Sequence, residues 1–262
     1  MEVMKILSEY YGSYDEDQRL SSRHGSVEFL TTMRYIEKYL RPGMRVLEIG
    51  AATGRYSHTL ARKGYRVDAV ELVQHNIDIF KANTQPGEDV RIYQGNAKTL
   101  DMLSDETYDI TLLLGPMYHL FTVPEQLEAL SEAIRVTKKG GVVFSAYCGN
   151  EATMVQYCFG RGMIKEHRYR DLIDPVTFKA SSDPAELFEL YRKEDIDKLM
   201  AVFPVTRLHY VGTDMATNYM RQTIDEMDDE MFNLYLRYHF AICERSDLVG
   251  ASHHILDIFR KD

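Results

Sequence analysis

The sequence predicts an α/β fold, a mostly parallel sheet with helices on both faces, and three observations carry that prediction. Short apolar strand-like runs alternate with helical segments from residue 41 to residue 147. The run from Tyr108 to Leu114 is almost continuously apolar, as a strand buried on both faces requires. Glycine, proline and capping residues punctuate the alternation where helices start and stop. Strict β-α alternation leaves few solutions other than a parallel sheet, because crossovers between parallel strands are right-handed and pack helices on the two faces.

The elements follow in order. Val27, Leu30, Met33 or Tyr35, and Ile36 recur at helical spacing between about Ser26 and Leu40, and Arg41-Pro42-Gly43 stops that helix. Arg45 to Ile49 is a strand running into a glycine loop, and Arg55 to Lys63 a helix closed by Gly64. Arg66 to Val70 is the second strand. Val73, Ile77 and Phe80 mark the next helix, and after the Gln85-Pro86-Gly87 turn, Val90 to Gln94 is the third strand. The fourth strand ends at Gly115-Pro116. Thr122, Pro124 and Glu125 form a helix start with a capping box, Leu127, Leu130 and Ile134 carry the helix, and a Lys138-Lys139-Gly140-Gly141 turn leads to strand five, Val142 to Tyr147. Beyond Cys148 the alternation breaks into mixed helices and turns ending in a helix around Glu194 to Phe203. Val205 to Val211 and His254 to Phe259 read as a closing pair of strands, separated by a stretch in which Met231 to Cys243 is helical.

The division expected from this is an N-terminal helical arm (1–40), a core (41–148), an insertion or cap (149–203), and two last strands (204–262) with a helical insertion at 215–250. A chain of 262 residues with 45% hydrophobic and 27% charged residues buries a large core, and disorder is not the default. With 31 basic and 40 acidic residues the net charge is −9, which argues against nucleic acid or anionic lipid held on a basic surface. Three cysteines, Cys148, Cys158 and Cys243, with no C-x-x-C pair, support neither a disulfide framework nor a zinc ribbon and point to a reducing cytoplasm. No apolar stretch approaches the roughly 18 residues of a membrane span, and the first ten residues lack a signal-peptide core.

The chemistry concentrates in Val46 to Arg55, a strand entering a small-residue loop that opens a helix, where backbone can approach a ligand and free helix N–H groups can meet it. A nicotinamide-dinucleotide G-x-G-x-x-G begun at Gly50 would need glycine at 52 and 55, where Ala52 and Arg55 stand. The pattern E/D-x-G-x-G-x-G fits better: Glu48, Gly50 and Gly54 match and Ala52 replaces one glycine. On this motif and the ordered ones after it, residues 44 to 147 resemble the class I (Rossmann-like) S-adenosylmethionine-dependent methyltransferases of small-molecule type. The resemblance implies a seven-stranded sheet of order 3-2-1-4-5-7-6 with strand 7 antiparallel and helical caps inserted. It implies S-adenosylmethionine as cofactor, held by Glu48, Gly50, Ala51, Ala52 and Gly54 of the loop, and by Glu71 and Leu72, with Glu71 accepting from both ribose hydroxyls. It also implies contacts from Gly95, Asn96 and Ala97, where Asn96 replaces the usual acid facing the adenine, and from Leu114 and Gly115. Lys138 to Gly141 matches the family's turn before strand five, with lysine for proline.

His119 and Tyr118, beside the expected methyl position, are the candidate catalytic residues, His119 as a general base by its titration range. The competing reading of both is packing under the cap. Arg19, Arg23 and His24 are candidates for holding a carboxylate, against a solvated arm. The acidic run Asp225 to Glu230 reads as a helix N-terminus, and His253-His254 has no third ligand at metal-site spacing, so no metal is expected. The expected function is methyl transfer to an O or N nucleophile of a small-molecule acceptor, with no nucleic-acid or membrane partner. A protein acceptor and a noncatalytic S-adenosylmethionine-binding module are the alternatives, and the oligomeric state is not legible.

Overall fold

A computed structural model describes residues 6, 7, 9, 10, 22–183 and 188–262. Helix α1 (Arg23–Tyr39) starts three residues before the expected position, because the Ser22 hydroxyl accepts from Gly25 N at 3.1 Å and caps it there. Strands β1 (Arg45–Ile49), β2 (Arg66–Glu71), β3 (Val90–Gln94) and β4 (Tyr108–Leu113) alternate with α2 (Arg55–Arg62) and α3 (Gln74–Asn83). Helix α4 (Val123–Val136) begins at Thr122, whose hydroxyl accepts from Glu125 N and donates to the Glu125 carboxylate at 3.0 Å. Strand β5 (Thr137–Gly149) is longer than expected. Its pairing jumps from Tyr108–Thr137 to Ile110–Val142, so the expected Lys138–Gly141 turn is a bulge within the strand, with Gly140 at φ +75°.

Later elements, with short helical turns between them, include β6 (Leu190–Tyr191), α5 (Lys193–Met200), β7 (Val205–Gly212), α6 (Asp229–Ile242) and β8 (His254–Lys261). The sheet order is β3-β2-β1-β4-β5-β8-β7, with β1 to β5 parallel and β8 antiparallel to both its neighbours. Apart from β6, this is the expected path. Strand β6, two residues inside the segment expected to be a helical cap, pairs in parallel with Cys148 and Gly149. It is too short to give a periodic signal.

Both faces of the sheet are covered. Leu47, Ile49 and Val143 pack on one side with Leu130 and Ile134 of α4, while Val46, Ile110 and Phe144 pack on the other with Ile36 of α1 and Leu60 of α2. Each such side chain contributes about 1.5–3 kcal/mol by leaving water. The order reverses between β1 and β4, and at such a point the loops leaving the C-terminal strand ends splay apart and open a crevice. No described helix is long and apolar enough to cross a membrane.

Candidate active site

The crevice is built first from backbone. Gly50 sits at φ +80°, and a Cβ there would stand 2.6 Å from Pro116 Cδ and 2.8 Å from the Leu114 carbonyl oxygen. Only glycine lets the two loops close on each other. Ala52 takes φ +45°, a left-handed conformation in which the motif's glycine would be unstrained. Its N–H donates to Glu71 Oε2 at 2.8 Å. Gly54, at φ +95°, packs against His58 and Phe80 and is the one expected loop residue that does not line the crevice.

Glu71 ends β2 and turns into the crevice, where Val73 N donates to its other oxygen at 2.8 Å and Asn76 Nδ2 at 3.4 Å. Burial pushes its carboxyl group upward in pKa, although these donors pull the other way. A buried carboxylate with spare lone pairs and a desolvation cost not fully offset is suited to a ligand that brings two hydroxyl donors. Glu48 lines the same crevice, but its carboxylate is engaged by Ser57 at the start of α2, accepting from Ser57 N at 2.9 Å and from the Ser57 hydroxyl. Burial raises its pKa to about 8 against those two hydrogen bonds.

Ala51, Leu72, Gly95, Asn96, Ala97, Leu114 and Gly115 complete the lining of a cleft of about 390 Å³. Asn96 Oδ1 accepts from Lys98 N at 3.0 Å and so shapes its own turn, leaving one lone pair for a ligand. Tyr118 and His119 lie on a single helical turn, Pro116–His119, and stack on each other and on Phe188, with ring centroids 5.0 to 5.7 Å apart. The β6 segment pins this turn: Glu189 N donates to the Tyr118 carbonyl and the Tyr191 hydroxyl to the Met117 carbonyl, both at 2.8 Å.

A second cavity, of about 820 Å³, adjoins the cleft, and Glu28, Tyr118 and His254 line both. Its walls come from α1, the end of β5, the 149–203 segment and the residues flanking β7 and β8. Asp214 is the polar centre of that last part. It is 2% exposed and accepts from Ser252 Oγ at 2.7 Å, His253 N at 2.9 Å and Asn218 Nδ2, while His254 Nδ1 lies 2.7 Å from its Oδ2 and 3.3 Å from Glu28 Oε2. Burial opposes both charges, but the His254 cation holds Asp214 well below the usual carboxylate range, and Glu28 and Asp214 together hold His254 well above 6.5.

His253, beside it, is pushed down to about 4 by burial and by the His254 and Arg221 cations, with Asp214 and Glu28 opposing. The expectation that His253-His254 lacks a third partner is therefore corrected: Asp214, His253 and His254 bring ligand-type atoms within 4.8 Å of one another. The donors already on Asp214 make this an ion pair rather than an open coordination site.

Sequence reasoning missed Glu28, Asp214 and Arg221 as cavity residues. One signal was available: β7 and β8 read as a hairpin-like pair, and in the observed register Gly212 faces Ile255, which sets the residue after Thr213 beside His254. Arg19 lies outside the described residues. Arg23 pairs with Asp229 at 2.7 Å, and His24 with Asp225 at 2.7 Å while also lining the cavity. The acidic run thus serves the start of α6, where Asp228 accepts from Met231 N at 2.8 Å, and ties that helix to α1.

Comparison with known proteins identifies the class of enzyme. A protein family described as "Methyltransferase domain" matches residues 46–141, the stretch from β1 through the β5 bulge. The chain carries a methyltransferase domain and is a S-adenosylmethionine-dependent methyltransferase. Among curated relatives, a ubiquinone biosynthesis O-methyltransferase of Hahella chejuensis is 22% identical over 74% of this chain and 81% of its own length. Among solved structures, a S-adenosylmethionine-dependent methyltransferase of Methanosarcina mazei shares the fold with a TM-score of 0.57 and 16% identity, over 87% of this chain and 96% of that one. Another, from Thermotoga maritima and described as a possible histamine N-methyltransferase, has a TM-score of 0.59 at 18% identity, over 99% and 100%. The cofactor of the methyltransferase is S-adenosylmethionine. The residues at the cleft fit it: a glycine cradle that a Cβ would fill at Gly50, and a buried carboxylate at Glu71 with lone pairs to spare.

Proposed function

We propose that this methyltransferase acts on a small-molecule acceptor, at an oxygen or nitrogen nucleophile, and that the acceptor occupies the 820 Å³ cavity. The observation that carries this is the junction: a cavity within the roughly 300–1,000 Å³ range of small-molecule sites meets the cleft at Glu28, Tyr118 and His254. On this reading residues 41–148 bind the cofactor, and the 149–203 and 215–250 segments enclose the acceptor. The cofactor contacts are those of Gly50, Ala51, Ala52, Glu71, Leu72, Gly95 to Ala97, Leu114 and Gly115, with Glu48 and Gly54 shaping the loop. The name of the O-methyltransferase relative supports a small molecule and an oxygen nucleophile.

Bound S-adenosylmethionine supplies an electrophilic methyl group. The chain's part is to align the acceptor in line with that methyl and to exclude water, which the stacked Tyr118, His119 and Phe188 do at the junction. As the new bond to the methyl forms, the acceptor's O–H or N–H proton must leave. His119 stands on the cleft side to receive it, and the Glu28 carboxylate, bridged to His254, stands where cleft and cavity meet. Glu28 is the better placed of the two, because an acceptor arriving from the cavity meets it directly.

The test is transfer of label from methyl-labelled S-adenosylmethionine in a cell extract, alongside calorimetric titration with S-adenosylhomocysteine. Label in the low-molecular-weight fraction is expected. Label confined to protein would replace the small-molecule reading, and product binding without any transfer would favour a noncatalytic module.

A further inference from the structure

Resting on the reading of the 820 Å³ cavity as the acceptor site, we propose that the acceptor carries an anionic group, a carboxylate or a phosphate, that docks on Arg221 and His253. Both residues line the cavity and neither lines the cleft. Arg221 ion-pairs with no carboxylate among the described residues. Its Nε donates to Asn218 Oδ1 at 2.8 Å and one terminal nitrogen lies 3.4 Å from the Tyr157 hydroxyl, so the guanidinium is oriented while most of its fork stays available. Asn218 in turn donates to Asp214, which fixes the mount of Arg221 to the same polar centre that holds His254.

His253 adds an independent sign. Both of its ring nitrogens are buried and have no hydrogen-bond partner among the described residues, and its ring packs on Tyr157 at 5.5 Å between centroids. A buried imidazole without a partner costs free energy that a ligand carrying acceptor oxygens removes. A guanidinium fork beside an imidazole N–H is a match for a planar carboxylate or a phosphate, and charge-assisted hydrogen bonds of this kind are about twice as strong as neutral ones. The rest of the wall is suited to an apolar or aromatic body: Met163, Leu172, Ile173, Phe188 and Leu190. The substrate class is therefore an acid with an apolar body, its charge held by Arg221 and His253 and its nucleophile presented at Glu28, Tyr118 and His254.

The charged and titratable groups facing His253 are His254, Asp214, Arg221, Glu28 and the stacked Tyr157. An anion added to this set favours the imidazolium, so docking should raise the His253 pKa from about 4 and couple binding to proton uptake.

The experiment uses the full chain loaded with S-adenosylhomocysteine, whose binding is measured first, so that failure of the cofactor reading shows separately. Benzoate, phenyl phosphate and the neutral isostere benzamide are then titrated while the histidine ring C–H resonances are followed by NMR. At least one anion should bind about tenfold more tightly than benzamide and move the His253 titration upward. The carboxylate and phosphate arms tell the two sources apart. Arg221→Met should abolish the preference while retaining S-adenosylhomocysteine binding, which reports an intact fold, and Arg221→Lys should restore part of it. Equal affinity for anion and benzamide, no binding of any of the three to the loaded protein, or an anion preference unchanged in Arg221→Met would each overturn the proposal.

Discussion

The two halves of the site are built by different means. On the proposed cofactor side, β1, β2, β3 and β4 each end in a loop, and the cleft surface is largely backbone, held by short-range contacts such as Gly50 N to Val70 O at 2.8 Å and Ala52 N to Glu71 at 2.8 Å. On the proposed acceptor side the surface is side chains gathered from distant parts of the chain: Glu28 from α1, Asp214 after β7, and His254 at the start of β8. A backbone-built site tolerates much sequence change, because the fold makes it. A side-chain-built site depends on each partner, because removing one leaves another buried and unpaired.

The largest effect should fall on the acceptor side. Asp214→Ala leaves the His254 cation and several N–H donors without their acceptor and should cost about 3–5 kcal/mol in chemical denaturation. A loss below about 1 kcal/mol would mean the pair behaves like an exposed one and would remove the contrast. Next comes Glu48, a buried carboxyl group mounted behind the loop. Its folded pKa of about 8 lies above the unfolded value, so its contribution is fully present below about pH 4.3 and is lost as pH rises through 8. Glu48→Gln should remove roughly 4 kcal/mol of the decline in stability between pH 5 and pH 9. An unchanged profile in the variant would show that the carboxyl group is ionised throughout.

Smaller effects sharpen the division of labour. Glu71→Ala should weaken S-adenosylhomocysteine about a hundredfold in calorimetry, through loss of two hydrogen bonds to a charged group, while the anion preference of the cavity persists. The smallest distinction is between the two proton acceptors. Glu28→Gln should lower kcat about tenfold more than His119→Gln does, with product binding retained in both. The reverse ranking would place the proton on the cleft side.

The parts of the fold that were legible in the sequence are those whose signal is local. The strand, small-residue loop and helix around Gly50 could be read because the turn takes a positive φ there, which glycine adopts without strain. The Thr122–Glu125 cap and the buried run of β4 were legible for the same reason: each needs only neighbours in sequence. Strand β6 was not, because two residues show no period, and its place beside Cys148 and Gly149 is set by the packing of Tyr191 under the Tyr118 turn. The β5 bulge was read as a turn, since Gly140 at positive φ serves either purpose and only pairing with β4 decides between them.

The sequence by itself determined the order of strands and helices, the crevice where that order reverses, and the carboxylate of Glu71 that faces it. Periodicity, capping and the conformational demands of glycine act over a few residues and can be read along the chain. Only the tertiary structure decided that Glu28, Asp214 and His254 meet and that Arg221 and His253 share a wall. Those encounters follow from how the sheet pairs and how the helices pack upon it, and the free energies that hold them belong to contacts between residues far apart in the chain.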